Sequence, residues 1–199
     1  MSKFWKLLTP TQVVKQISDI RPADLSARGI TSIITDLDNT LVPWRRYNIA
    51  EDVIKWLADL EAAQIKICIA SNTLHTSRLK KLAEEMRIPF VDRVRKPWVG
   101  GFLRAMQLMQ SSREQTAVVG DQIFTDVLCG NRLQLHTILL RPPLAKEEFL
   151  STRLLRHVEN SLINFLQRKG IWPMDKGPKE TGLESSSLME SRTREAEKV

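Results

Sequence analysis

The chain has 199 residues, 42% of them hydrophobic and 27% charged, and its 30 Lys and Arg against 23 Asp and Glu give a net charge of +7. A chain of this length buries about 70% of its unfolded surface around one core, and its apolar periodicity excludes disorder over most of its length. Two cysteines exclude a disulfide framework and a Cys-rich zinc site, no apolar run approaches the roughly 18 residues that span a bilayer, and no signal-peptide core appears near Met1.

Along the chain, Lys3-Phe4-Trp5-Lys6-Leu7-Leu8 comes first, with aromatic and apolar groups set among cations. Residues 10–20 read as a short amphipathic helix with Val13, Val14 and Ile17 on one side. Strands follow at residues 31–36, 65–70, 115–120 and 135–140, with a weaker one at 88–91. Helical patterns lie between them at 50–63, 75–86, 98–109 and 124–133. Strands alternating with helices of this length predict parallel βαβ units, hence an open α/β sheet of about five strands sandwiched by helices. A longer helix over 147–169 has Leu150, Leu154, Val158 and Leu162 at a spacing of four, broadened by Leu155, Ile163 and Leu166. That width suits packing on the protein better than insertion in lipid. The organisation expected is an extension over 1–29, a main domain over 30–172, and a disordered polar tail over 173–199. From Pro173 onward 5 basic residues meet 6 acidic ones, so the body carries +8. Such an excess favours anionic partners: nucleic acid, phosphorylated metabolites or an acidic membrane surface.

In open α/β sheets ligands bind beyond the carboxyl ends of the strands. There the chain places Asp36-Leu-Asp38-Asn-Thr40, Ser71-Asn72-Thr73, Lys96-Pro97 and Gly120-Asp121...Asp126. Four carboxylates at one edge repel unless a cation joins them, and an all-oxygen ligand set favours Mg²⁺. Asp36 can then attack phosphorus to form an aspartyl-phosphate. Asp38 is placed to protonate the leaving oxygen and later to activate water. Ser71 and Lys96 hold the phosphoryl oxygens, Asp121 completes the metal site, and Asp126 supports it. Each residue alone has a structural reading, as a helix cap or a solvated side chain. Their conjunction, in order and each at a strand end, points to phosphoryl chemistry.

These four segments resemble the motifs of haloacid-dehalogenase (HAD) superfamily phosphatases. The resemblance implies a Rossmann-like fold, Asp36 as nucleophile and Asp38 as acid/base. It also implies Mg²⁺ held by Asp36, Asp121 and the main-chain carbonyl of Asp38. By the same motifs Asn72 joins Ser71 and Lys96 in phosphate binding, and Thr40 joins Asp126 in support. Leu8-Thr-Pro10, Asp36 to Val42, Gly120 to Asp126 and Thr152-Arg153...Arg156...Glu159 are similar to the YqeG-like branch. That branch includes phosphatidylglycerophosphatases, which dephosphorylate phosphatidylglycerophosphate to phosphatidylglycerol. Val94-Arg95 departs from the small residues more usual before Lys96-Pro97, and Arg95 is either a substrate contact or a surface substitution.

Only 26 residues separate Asp38 from Ile65, and 22 separate Thr73 from Lys96. Neither interval holds a cap domain, so the expected site is open and suits a substrate whose bulk stays outside. Trp44, Arg45 and Arg46 follow the first motif and Trp98 the third, predicting a rim able to meet lipid headgroups. Phe4-Trp5 suits an interfacial anchor, although Trp5 and Trp44 serve equally as core cover. His75, His136 and His157 share no ligand spacing. Cys68 and Cys129 lie in apolar segments and read as core, and Gly100-Gly101 as a close helix contact. The expectation is a Mg²⁺-dependent enzyme acting on an anionic phospholipid, cytoplasmic and peripheral on the inner face of the cytoplasmic membrane. No nucleic-acid partner is expected. The alternatives are a nucleotide, nucleic-acid 3′-phosphate, phosphoprotein or small phosphometabolite as substrate, and a non-catalytic scaffold.

Overall fold

Val, Ile and Thr dominate the segments that become strands, and the helical segments between them carry apolar stripes. The computed structural model describes residues 3–73, 75–141 and 150–173. Its strands are β1 (Gln12–Val14), β2 (Ser32–Thr35), β3 (Lys66–Ala70), β4 (Phe90–Val91), β5 (Thr116–Gly120) and β6 (His136–Leu140). Helices α1 (Lys3–Leu8) and α2 (Pro22–Ser26) flank β1, and α3 (Glu51–Ala62), α4 (Thr76–Met86) and α5 (Gly100–Met109) fill successive crossovers. α6 (Leu128–Arg132) precedes β6, and α7 (Leu150–Arg168) follows it.

The strands make one sheet in the order β1-β6-β5-β2-β3-β4, every pair parallel. Every residue of β2 and β5 is buried, as expected where helices cover both faces. Neighbouring residues serve opposite faces: Ile33 packs with Trp56, Leu60 and Leu79, whereas Ile34 packs with Phe102, Ala105 and Met106. From β2 the chain steps outward to β3 and β4, then returns to β5 and continues to β6 on the other side. That reversal opens a crevice between β2 and β5 at their carboxyl ends.

The N-terminal region departs from expectation. Residues 10–20 are not a helix: Gln12–Val14 is extended and pairs with Ile138–Leu140, so the sheet has six strands rather than about five. Ile17–Asp19 is a single 3₁₀ turn, closed by the Asp19 carboxylate accepting from the Lys15 and Gln16 amides. The apolar spacing was compatible with a helix, but the free edge of β6 accepts the β-branched Val13-Val14 pair as a strand. Trp56 Nε1 then donates to Ile20 O at 2.8 Å, tying this segment to α3.

The helix predicted over 124–133 begins instead as a π turn at Ile123–Val127 before α6. In α7, Leu162, Ile163 and the buried Leu166 face the body, whereas Val158 is 52% exposed and lies off that face. The predicted stripe residues Leu150, Leu154 and Leu155 lie outside the described side chains, and residues 147–149 and the tail over 174–199 lie outside the described residues. Gly101 packs against Val94, where a Cβ would come within 2.1 Å of Cγ1.

Candidate active site

The loop after β2 is tight because Leu37, Leu41 and Val42 are all buried beneath it. The amides of Leu41 and Val42 donate to Leu37 O, and Asn39 takes the left-handed conformation at φ 60° that its short polar side chain tolerates. Asn39 Oδ1 accepts from Trp44 N at 3.1 Å, which orients the chain leaving the loop. Asp36 N donates to Val119 O, and the β2–β5 register carries on to set Asp36 beside the β5 terminus, just before Asp121.

Lys96 lies at the centre. It is 7% exposed, and its Nζ donates to Asp36 Oδ1 at 2.5 Å and to Asp126 Oδ1 at 2.7 Å. Burial opposes its charge, but the carboxylates of Asp126 and Asp36 and their hydrogen bonds more than offset this, so its pKa is raised and it stays cationic. Burial also pushes the Asp36 carboxyl up to about 6, a rise that Lys96 opposes and that Asp126 and Asp38 reinforce. Asp126 sits on the π turn, against Gly120, and also accepts from Gln122 N.

Ser71, 1% exposed at the end of β3, accepts from Thr73 N at 3.1 Å in a Ser-type turn. Asn72 faces Lys96: its Oδ1 accepts from Lys96 N at 2.7 Å and its Nδ2 donates to Lys96 O at 3.2 Å. Its amide therefore clamps the lysine main chain. Asp121 is 1% exposed, and Thr40 Oγ1 is buried with no hydrogen-bond partner among the described residues. The structure thus brings Asp36, Lys96, Asp126 and Asn72 into direct contact and sets Asp38, Ser71 and Asp121 on the same edge.

Around this centre, Arg45 lies over the half-buried Trp44 ring at 4.3 Å, and Arg132 lies 5.8 Å from the ring of Trp98, which is 68% exposed. Arg45, Arg46 and Arg95 are exposed. Trp5 instead packs on Phe165 at 4.9 Å, leaving Phe4 exposed. A concavity of about 690 Å³, lined by Ile54, Leu57, Met86 and Leu108 among others, involves none of the predicted site residues.

Sequence reasoning passed over Arg78. From α4 its Nη1 donates to Asp38 Oδ1 at 2.7 Å, while Nε and Nη2 donate to Arg46 O and Nη2 to Pro43 O. At 6% exposure, each of its three guanidinium nitrogens has a protein partner. A signal was present: Arg78 stands beside Leu79 and four residues before Leu82, on the buried stripe of an otherwise polar helix.

Four carboxylates stand at this edge, those of Asp36, Asp38, Asp121 and Asp126, against two buried cations, Lys96 and Arg78. The remaining negative charge and the all-oxygen donors fit a hard divalent cation. Among the described residues no three His, Cys, Asp or Glu side chains close on one point. Mg²⁺ keeps several waters, so two carboxylates and a carbonyl suffice for it.

The profile of the family described as Mitochondrial PGP phosphatase matches residues 3–145. The chain is similar to "Probable phosphatase YqeG" of Bacillus subtilis, at 42% identity over 83% of this chain and 95% of that protein. It is also similar to Phosphatidylglycerophosphate phosphatase 1, chloroplastic/mitochondrial, of Arabidopsis thaliana, at 28% identity over 80% of this chain and 49% of that protein. Among solved structures, the cobalt-bound deoxy-D-mannose-octulosonate 8-phosphate phosphatase of Haemophilus influenzae aligns at 16% identity and a TM-score of 0.44, over 72% of this chain and 91% of that one. With the parallel sheet and its switch-point crevice in place, the family match over residues 3–145 and the 42% identity to the Bacillus relative show that the chain belongs to the PGP phosphatase family, in its YqeG-like branch, and is a phosphatase of the HAD type.

Proposed function

We propose that the chain is a Mg²⁺-dependent phosphomonoesterase that works through an aspartyl-phosphate on Asp36 and dephosphorylates phosphatidylglycerophosphate. The observation that carries the chemistry is the buried cluster in which Lys96 joins Asp36 and Asp126 at the switch-point crevice. Asp36, Asp121 and the carbonyl of Asp38 would hold the cation, which when bound supplies Lewis-acid charge to the phosphoryl oxygens.

The chain's own groups account for the rest. An Asp36 oxygen attacks phosphorus as the bond from phosphorus to the leaving oxygen breaks. Asp38, oriented by Arg78, delivers its proton to that oxygen. Lys96 shifts from Asp36 toward the transferring group, where its ammonium offsets developing charge while Asp126 keeps it in place. Ser71 offers its hydroxyl to a phosphoryl oxygen. Asp38, now deprotonated, takes a proton from the water that cleaves the aspartyl-phosphate, restoring Asp36 and releasing phosphate.

Support for the lipid comes from the family match, from the name of the Arabidopsis relative, and from the exposed tryptophan and arginines of the rim. Each of the β2–β3 and β3–β4 connections holds one helix, α3 and α4, which leaves the crevice open to a substrate whose acyl chains stay outside. Among the described residues no helix is long and apolar enough to cross a membrane. The test is phosphate release from phosphatidylglycerophosphate in mixed micelles with Mg²⁺, beside soluble phosphomonoesters, with Asp36→Asn as blank. Strong preference for the lipid supports the reading. Equal or better turnover of soluble esters leaves the phosphatase and removes the lipid.

A further inference from the structure

Glu159 lies on α7, which begins at Leu150, beyond residue 145 where the family match ends. It is an acid on the face that Leu162, Ile163 and Leu166 turn to the body, and it is 0% exposed. Its two oxygens are both engaged. Oε1 accepts from Ile123 N at 2.6 Å and from Phe124 N at 3.4 Å, the first two amides of the π turn. Oε2 pairs with Arg141 Nη1 at 3.1 Å, and Arg141 N donates to Val14 O, just past the end of β6.

The turn that Glu159 holds is the one that carries Asp126. The amides of Asp126 and Val127 donate back to Gln122 O, so residues 122–127 close one hydrogen-bonded turn. Asp126 in turn binds Lys96 at 2.7 Å, and Lys96 binds Asp36 at 2.5 Å. A buried carboxylate that caps free amides stabilises the conformation presenting them, because leaving those amides unpaired in the interior costs about 1–3 kcal/mol each.

We infer that Glu159 is a positioning residue of the phosphatase site: from the C-terminal helix it fixes the Ile123–Val127 turn so that Asp126 keeps Lys96 aimed at Asp36. The inference rests on the roles proposed above for Lys96 and Asp126. It makes α7 a working part of the catalytic centre, although none of its described side chains reaches the crevice. Val158 and Phe165, the exposed neighbours on α7, have no such link.

The experiment uses the full chain with Mg²⁺ and p-nitrophenyl phosphate, reading kcat, KM and thermal midpoint. In Glu159→Ala, kcat falls on the order of 10²-fold with little change in KM, as expected when a reacting group is displaced by about 1 Å. Glu159→Gln keeps an oxygen for the two amides and recovers most of that loss. Leu166→Ala removes a fully buried side chain from the same helix, lowers the midpoint and leaves kcat near native. If Glu159→Ala keeps native kcat, or if Leu166→Ala loses kcat in step with it, Glu159 is only a packing residue and the inference is overturned. If Glu159→Ala does not fold, the comparison of Glu159→Asp with Glu159→Gln decides. The shorter acid loses kcat about tenfold against Gln, and equal values overturn the inference. Lys96→Ala separates the two readings: native turnover there removes the proposed site and this inference with it. An inactive Lys96→Ala beside a fully active Glu159→Ala removes the inference alone.

Discussion

Replacing Gly120 with alanine is the sharpest steric probe of the site. A Cβ at Gly120 would lie 2.2 Å from Asp126 Cγ, 2.4 Å from Oδ2 and 2.5 Å from Cβ, whereas carbon atoms rest about 3.5–4.0 Å apart. Because Asp126 Cβ is itself in the clash, rotation of the aspartate does not clear it, and the turn must retreat by about 1 Å. The 2.7 Å bond from Lys96 to Asp126 then opens beyond hydrogen-bonding reach. Overpacking of this kind costs about 1–3 kcal/mol, which for a chain of this size lowers the thermal midpoint by roughly 2–12 °C. A displacement of about 1 Å at a positioning group lowers kcat on the order of 10²-fold. The assay is kcat on a soluble phosphomonoester together with denaturant unfolding, repeated in an Asp126→Gly background. There the obstruction is gone, and Gly120→Ala adds little to either loss. Native kcat and midpoint in Gly120→Ala, or the same stability loss in both backgrounds, would refute the reasoning.

Arg78→Ala strips Asp38 of its 2.7 Å partner and removes the guanidinium that donates to the carbonyls of Pro43 and Arg46. Turnover is expected to fall about 10- to 100-fold at constant KM, with Arg78→Lys only partly restoring it; steady-state kinetics check this, and native kcat in Arg78→Ala would count against it. Burial, aided by Arg28, lowers the His136 pKa from 6.5 to about 4, so the folded chain keeps the ring neutral while the unfolded chain takes up the proton. The stability this contributes is present above pH 6.5 and is lost as pH falls toward 4, at most about 3 kcal/mol. Urea titrations across that range should show a shallower decline in His136→Phe. Arg45→Ala and Arg95→Ala should each lower turnover of lipid in anionic micelles about fivefold, from roughly 1 kcal/mol per cation near the surface. Turnover of a soluble ester should stay unchanged, and equal losses on both substrates would remove the headgroup role.

The central strands and the motifs at their ends were readable because both signals are local. Ile33-Ile34 and Val118-Val119 sit in short β-rich runs, and Asp36 and Asp121 follow those pairs by two residues. That Lys96 and Asp126 share an edge was expected from topology, since strand ends lie there together, but their direct contact was not. The first strand was not readable, because Gln12–Val14 is extended only by virtue of a partner near residue 138. Arg78 and Glu159 were missed as functional groups for a related reason. Each is a charge on an apolar stripe, whose partner lies on an element distant in sequence: Asp38 for the first, the Ile123 amide for the second. Val158 was placed on the packed stripe by its spacing of four. Glu159 takes the inward position instead, because its carboxylate finds donors there.

The pairing of β1 with β6 also sets an order of events on the ribosome. Val14 meets Leu140 across the sheet edge, so the first strand has no partner until about 126 further residues have been made, roughly 6–25 s at about 5–20 residues per second. Through that interval Trp5, Leu8 and Val13 lack the cover later supplied by Ile123, Leu139 and Leu162. Asn131, whose side chain will bind the carbonyls of Lys6, Leu7 and Thr9, has not been made either. The aromatic, basic segment before β1 therefore stays without this cover until β6 and α7 have been made.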